Sequence, residues 1–377
     1  MNENKPIRVL QVLHILNRGG AEAMIMNLYR KLDRTRIQFD FLVHEKEKGL
    51  FEDEIIALGG KIYRVQAFKG YNVLSYYQEC KHFFAHHPEI KIVHGHLGSS
   101  AALYLKAAKV YGKFTIAHSH SAGSIRDFRG FAYAFFSFPT RYVADQLFGC
   151  STEAGIQRYG KTTVKSPKYK NFNNAVDVIK FKFNLEKRNL KRKELGIPEQ
   201  KIAIGTVGRI TEQKNPPRIY SLFKFLVNNY ENVICYWVGT GELEDVYQQK
   251  IKEDNLQDRI IMTGVRSDIP ELTSAFDGMI FPSLWEGLPV SVIEAQMANL
   301  PTILADTISK ETEISPLLHW HSLNESDEVW AKGIVEHTKA YLNCRENYNF
   351  NTSSTGYDIN ETVKWLMSFY EKNGGAI

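Results

Sequence analysis

The sequence predicts an α/β protein made of two units, each a parallel sheet with helices on both faces. Three observations point there. Short runs rich in Val, Ile and Phe, apolar on both faces, alternate with helical patterns along most of the chain. The alternation falters between Ser121 and Lys193 and then restarts cleanly. The length, 377 residues, is what two domains of ordinary size need.

The elements follow in order. Ile7–Leu13 reads as a strand and Ala21–Lys31 as a helix. Gln38–Val43, Lys61–Val65, Ile90–Val93 and Phe114–Ala117 repeat the strand signal, with a helix over Ser99–Tyr111 between the last two. After the faltering stretch come a strand at Lys201–Val207 and a helix at Pro216–Asn229, whose leading proline suits a first helical turn. Strands at Val233–Val238, Arg259–Thr263, Gly278–Phe281 and Thr302–Ala305 complete the second unit. Ile359–Lys372 reads as an amphipathic helix with Val363, Leu366, Met367 and Tyr370 on its apolar face. The boundary falls near residues 173–195, which divides the chain into 1–175, 176–358 and a closing helix at about 359–377.

Composition narrows the class. A hydrophobic fraction of 44% and a charged fraction of 24% are those of a globular protein with a sizeable core. The net charge of +5 permits attraction to phosphates or an anionic membrane, and no nucleic-acid partner is expected. Cys80, Cys150, Cys235 and Cys344 lack C-x-x-C spacing, which argues against a zinc site or a disulfide framework and fits a reducing cytosol. The start, Met-Asn-Glu-Asn, runs into a strand with no basic and apolar leader pattern, so no signal peptide is expected. No run approaches the roughly 18 apolar residues of a spanning helix.

In open α/β sheets ligands sit at the carboxyl ends of the strands, so the loops there matter most. His14 to Glu22 holds Gly19 and Gly20 between the first strand and the first helix. Two glycines let backbone approach a ligand, and the helix N-terminus offers N–H groups to an anion; a tight turn explains the pair equally well. Gly208 to Asn215 places Arg209 and Lys214 in the corresponding loop of the second unit, where a diphosphate can be gripped by a fork and a point charge. Glu286-Gly287-Leu288-Pro289 precedes a helix carrying Glu294. The Gly and Pro break the helical register, so both carboxylates can face one cleft and accept from sugar or ribose hydroxyls. His94 and His96, then His118 and His120, stand at the ends of consecutive strands. A polar role against a substrate phosphate or hydroxyl fits them better than a metal, because no carboxylate lies nearby at ligand spacing. Hydride transfer is excluded: Val238-Gly239-Thr240-Gly241-Glu242 lacks the third glycine of the dinucleotide fingerprint.

Taken as an ordered set, these segments resemble the family 4 glycosyltransferases, retaining enzymes of the GT-B fold, in particular those of bacterial capsule and exopolysaccharide synthesis. The likeness spans roughly residues 5–310. It rests on Gly19-Gly20, His118-Ser119-His120, Cys150 to Ala154, Asn174 to Asp177, Gly208-Arg209 with Lys214-Asn215, and Glu286 with Glu294. One departure is Ala175, where the linker motif usually has glycine. The resemblance implies two Rossmann-like domains facing a central cleft, an acceptor-side first domain, a donor-nucleotide-binding second domain and a C-terminal helix crossing back to the first. It implies a UDP-sugar as co-substrate, hexose or N-acetylhexosamine transfer with retention, and no metal or other cofactor. Arg209 and Lys214 match the pair on the diphosphate, Glu294 the residue on the donor ribose, and Glu286 the one near the transferred sugar. Gly19, Gly20, Arg266, Gly287, Leu288 and Pro289 complete the donor side. His118 matches the catalytic histidine, with His96 and His120 towards the acceptor.

The chemistry agrees with that assignment. Breaking the sugar–phosphate bond builds negative charge on the leaving diphosphate, which fixed cations and a helix N-terminus stabilise. The sequence has no Asp-x-Asp to hold a divalent ion. Two rivals are a nucleotide-sugar epimerase of the same fold, which needs further catalytic carboxylates, and a non-catalytic partner subunit, which has no use for the four donor-side charges. Residues 126–148 also hold eight aromatics, among them Phe131, Phe135, Phe138 and Tyr142, interleaved with Arg126, Arg129 and Arg141. Residues 161–193 hold eleven Lys or Arg against Asp177 and Glu186. Such a surface suits an anionic bilayer, and similar enzymes act on polyprenyl-diphosphate-linked acceptors. The expectation is a cytoplasmic protein peripheral to the inner membrane; the competing reading makes the aromatics core and the lysines a solvated linker.

Overall fold

The computed structural model describes residues 5–17, 19–120, 128–348 and 355–375. By its contacts the chain divides into Met1–Ala175 with Ile359–Ile377, and Val176–Asp358.

The first unit runs β1 (Ile7–Val12), α1 (Gly20–Lys31), β2 (Ile37–Val43), α2 (Glu52–Ala57), β3 (Ile62–Arg64), α3 (Val73–His86), β4 (Ile90–Gly95), α4 (Ala101–Val110) and β5 (Phe114–Ser119). It continues through α5 (Phe128–Ser137), α6 (Thr140–Val143), β6 (Gln146–Gly149), α7 (Thr152–Tyr159) and β7 (Tyr169–Asn171). The strands form one parallel sheet in the order β3-β2-β1-β4-β5-β6-β7. Alternate residues serve opposite faces, as the two-residue period of a strand requires. Val9, Ile92, Ile116 and Phe148 face a core shared with α1, while Leu10, Val12, Val93 and Ala117 face α3 and α4.

The second unit runs α8 (Val178–Phe181), α9 (Leu185–Glu194), β8 (Ile202–Val207), α10 (Pro216–Asn229), β9 (Val233–Val238), α11 (Glu244–Glu253), β10 (Ile260–Gly264) and α12 (Ile269–Ala275). Then come β11 (Gly278–Phe281), α13 (Val290–Met297), β12 (Thr302–Ala305), β13 (Leu318–His321) and α14 (Asp327–Leu342). Its sheet is parallel, ordered β10-β9-β8-β11-β12-β13. The closing helix α15 (Ile359–Gly374) returns to the first unit, where Ile359, Val363, Leu366, Met367 and Tyr370 join the face shared with α1.

Two sequence expectations change here. The α/β alternation does not lapse after Ser121: β6 and β7 extend the first sheet, but at four and three residues they are too short to show a period. The end of the basic stretch, in α9, is not a solvated linker either. Arg188 and Arg192 both bond Asp277, and Arg192 and Asp277 are buried. Lys191 bonds Asp268 at 2.7 Å and Glu194 at 2.5 Å. These charges tie α9 to the start of β11 and α12, and removing one partner of such a buried set costs about 3–5 kcal/mol.

Candidate functional site

Each sheet reverses its strand order once, between β1 and β4 in the first unit and between β8 and β11 in the second. A crevice opens at the strand ends at such a point. The sequence-derived candidates other than Arg266 collect at these two places.

In the second unit, a pocket is lined by Thr206, Gly208, Arg209, Lys214, Phe281 and Ser283 among others. Arg209 is exposed, and its guanidinium has no hydrogen-bond or ion-pair partner among the described residues. Lys214 Nζ donates to Glu286 Oε1 at 2.5 Å and stands 4.5 Å from the Phe281 ring centre. Gln213 closes the two loops on each other: its Nε2 donates to Trp285 O at 3.0 Å and Glu286 Oε2 at 3.2 Å, while its carbonyl accepts from Leu284 N at 2.9 Å. Asn215 takes the left-handed conformation, φ 57°, to start α10 and donates to Pro282 O at 3.2 Å.

Gly239 and Gly241, excluded above as a cofactor motif, have a packing role. Gly239 has φ 134°, and a Cβ there would lie 2.0 Å from Gly208 O; one on Gly241 would lie 2.4 Å from Ile210 O. The loop after β9 thus presses on the loop that carries Arg209.

Pro289 precedes α13, and no side chain caps that helix, so its first N–H groups remain available to an anion. Leu288 and Pro289 are buried and Gly287 half-buried. Glu294 is half-buried in the second turn; burial pushes its carboxyl up to about 7, with Lys180 opposing. Arg266 stands apart from these groups. It bonds Asp268 through Nε at 2.8 Å and Nη2 at 2.5 Å, and Glu194 at 3.2 Å. It therefore belongs to the ion-pair set that holds α9.

In the first unit, Gly19 caps α1 in an extended conformation, and a Cβ there would strike the Glu22 carboxylate at 2.1 Å. A Cβ on Gly20 would meet nothing within 4 Å, so Gly20 borders open space. His94 and His96 extend the face of β4 that carries Ile92, and His118 and His120 extend the face of β5 that carries Ile116. The four rings stack: centroids lie 4.4 Å apart for His94 and His96, and 4.0 Å for His118 and His120. Burial lowers every one of them, to about 3 for His94 and His120, so the cluster is neutral at physiological pH. Nitrogens of His94, His96 and His118 approach within 4.8 Å of one another, a spacing that could admit a metal ion. All of their ring nitrogens except His118 Nε2 are already engaged, with one another, His120, Gln11 and Tyr370.

Gln11 and Tyr370 are the participants that the sequence reading missed as site residues. Gln11 had a signal, an amide following the apolar run Val9-Leu10 in the first strand. Tyr370 had none, because 276 residues separate it from His94.

Comparison with known proteins bears on the second unit first. Residues 187–334 match the family Glycosyl transferases group 1. EpsF of Bacillus subtilis, named as a glycosyltransferase, is 29% identical over 368 residues, 96% of each chain. The UDP-Gal:alpha-D-GlcNAc-diphosphoundecaprenol alpha-1,3-galactosyltransferase of Escherichia coli is 36% identical over 136 residues, 35% of each chain. Together these support a group 1 glycosyltransferase. The solved structure of Anabaena Alr3699/HepE with UDP superposes with a TM-score of 0.76 at 16% identity, covering 97% of this chain and 100% of that one. The fold is thus the GT-B pair of Rossmann-like domains.

Proposed function

We propose that the chain is a retaining, metal-independent glycosyltransferase that moves a hexose or N-acetylhexosamine from a UDP-sugar to a growing cell-surface glycan or lipid-linked acceptor. The observation that carries the reading is the trio Arg209, Lys214 and Glu286, gathered by two strand-end loops inside the segment that matches group 1. An incoming diphosphate competes with Glu286 for Lys214 and takes the unpartnered fork of Arg209. Glu286, released, can accept from the hydroxyls of the transferred sugar. The uncapped start of α13 adds further N–H groups, and Glu294 takes the ribose. His118 and Gly20 act from the first unit.

UDP is favoured as the nucleotide because HepE has been solved with UDP and with UDP-glucose, and because the Escherichia coli relative is named for a UDP-galactose donor and an undecaprenol-linked acceptor. A lipid-linked acceptor also suits the aromatic segment. Phe131, Phe135, Phe138 and Tyr142 are exposed, at 64%, 66%, 48% and 72%, and several of them border an apolar cavity of about 420 Å³ beside α4. Among the described residues, no helix is long and apolar enough to cross a membrane.

A thermal-shift screen against UDP, GDP and their sugars tests the donor. A nucleotide present at a hundred times its Kd adds about 2.7 kcal/mol of stability. UDP should raise the melting temperature and GDP should not. NMR of the product then reads the anomer, and inversion would overturn the retaining assignment.

A further inference from the structure

The loop between β11 and α13 carries Glu286, and its neighbours hold it at every residue from Pro282 to Glu286. Asn215 Nδ2 donates to Pro282 O at 3.2 Å. Thr307, just after β12, donates to Ser283 O at 2.7 Å. Gln213 then makes three bonds. Its carbonyl accepts from Leu284 N at 2.9 Å, and its Nε2 donates to Trp285 O at 3.0 Å and to Glu286 Oε2 at 3.2 Å. Lys214 Nζ takes the other carboxylate oxygen, Glu286 Oε1, at 2.5 Å.

The Gln213 amide can face this way round only. Its two partners, a main-chain carbonyl and a carboxylate, both accept, so the NH2 must point at them. That uses both of its hydrogens and leaves none for a phosphate. Lys214 differs. Its ammonium carries three donors and a charge, and an incoming diphosphate offers it a charge-assisted acceptor. The two oxygens of Glu286 therefore have unlike holders. Oε1 is held by a cation that the diphosphate attracts, and Oε2 by a neutral amide that it does not. Only 8% of the Glu286 side chain is exposed. A carboxylate there that lost both donors would be left buried and unsatisfied, which is costly.

We propose that Gln213 is a positioning residue for the transfer step: it keeps Glu286 in one orientation through Oε2 when the donor diphosphate draws Lys214 away, so that Oε1 alone is freed to accept from a hydroxyl of the transferred sugar. The carboxylate is then aimed before the sugar–phosphate bond breaks and need not reorient while it breaks, which is how a preorganised group lowers a barrier. Gln213 acts through Glu286 and is not itself a catalytic residue. The proposal rests on the glycosyltransferase reading for the identity of the ligand.

The test is Gln213→Met in the full chain. Methionine keeps the length of the side chain and the main-chain carbonyl that Leu284 uses, and removes the amide alone. Without ligand, hydrogen exchange read by mass spectrometry should quicken severalfold over residues 285–288 and stay as it is in the rest of the second unit. With substrate, release of nucleoside diphosphate is followed from a panel of UDP- and GDP-linked hexoses and N-acetylhexosamines, with water as acceptor. On the donor that the wild type turns over, Gln213→Met should lose about tenfold in kcat, the scale of one hydrogen bond. Donor KM should stay within twofold, because Arg209 and Lys214 remain. In a Glu286→Ala background the same methionine should lower kcat less than twofold, since no carboxylate is left to hold. Full turnover by Gln213→Met would overturn the proposal and leave the glycosyltransferase reading in place. An equal loss in both backgrounds would overturn it too, because Gln213 would then act independently of Glu286. Unchanged exchange in the variant would show that the amide does not hold the loop. A wild-type chain that releases no nucleotide from any donor of the panel would overturn the glycosyltransferase reading, and the role of Oε1 with it, even where exchange shows the loop held.

Discussion

In the second unit the polar groups at the strand ends are charged and held by loops. Arg209 follows β8, Glu286 follows β11, and Gln213 stitches the two loops together. In the first unit the polar groups are neutral and sit on the strands themselves, with α15 placing Tyr370 against them. The charged set can rearrange: a phosphate offers Lys214 a second charge-assisted acceptor in place of Glu286. The neutral set is buried, and its rings bond one another, Gln11 and Tyr370. One arrangement suits a group that arrives with charge and departs with more. The other offers only uncharged hydrogen-bonding groups.

The sharpest way to break this contrast is to remove charge from the loops. Arg209→Ala should keep the melting temperature within a degree or two, while Lys214→Ala, which leaves the Glu286 carboxylate without its cation, should lower it further and still leave the chain folded. Each should lose about 2–4 kcal/mol of transition-state stabilisation, on the order of a hundredfold in kcat. Steady-state kinetics decides the matter, and wild-type turnover in both variants would remove the second unit from the chemistry.

Glu294 should show a smaller effect, of a different kind. Its carboxyl is raised from 4.5 to about 7 by burial. Between those values the folded chain holds a proton that the unfolded chain has released. Stability contributed by this group is therefore present below pH 4.5 and lost as pH rises towards 7. Glu294→Gln has no proton to lose, so its melting temperature should fall less than the wild type's between pH 4.5 and 7. Turnover should drop about tenfold, since an amide keeps the hydrogen-bonding shape without the charge. Parallel melting curves for the two proteins across that range would show that the carboxyl is not perturbed.

The same contrast explains what could be read from sequence. Long elements with a clear period were legible: Pro216–Asn229 is a helix over those residues, and the apolar face of Ile359–Lys372 packs as its period implies. The strand-end loops were legible too, because Gly, Arg, Lys and Glu stand out between apolar runs. Short strands such as β6, β7 and β13 were not, because they mix polar residues into three or four positions, whereas the equally short β11 and β12 are mostly apolar runs. Buried charge was also hidden. Lys191 and Arg192 look like solvent residues until Asp268 and Asp277, some eighty positions away, are placed beside them. The histidine pairs were visible, whereas their wiring through Tyr370 depended on where the last helix docks.

The aromatic segment should give a more modest effect. Five of its rings, Phe131, Tyr133, Phe135, Phe138 and Tyr142, are exposed, so the reading that buries the whole segment in the core does not hold; among its described side chains Phe148 alone is fully buried. Of the basic residues around it, Lys168 donates to Arg141 O at 2.9 Å and Lys170 stands 4.0 Å from the Trp365 ring centre, while Arg126 lies outside the described residues. Lys165 is exposed. Flotation with anionic liposomes at low salt should recover the wild-type chain and lose it as salt rises. Phe131→Ser with Phe135→Ser should cut recovery severalfold, and Lys165→Glu should cut it less. Equal recovery of all three proteins would detach the aromatic segment from membrane binding.

The smallest expected effect is none at all, on adding a chelator. Transfer from a nucleotide sugar needs positive charge on the leaving diphosphate. In this chain Arg209, Lys214 and the uncapped start of α13 can supply it from protein atoms. Enzymes that rely on a divalent ion for the same task bind it through carboxylates. Here Glu286 is engaged with Lys214 and Gln213, and the sequence offers no Asp-x-Asp. The one cluster with metal-like spacing among the described residues, His94, His96 and His118, directs every ring nitrogen but His118 Nε2 into hydrogen bonds within the first unit. Initial rates with and without EDTA should therefore agree within error. Activity lost to EDTA and restored by magnesium or manganese would mean that the loop cations do not suffice. Restoration by zinc alone would point to the histidines instead.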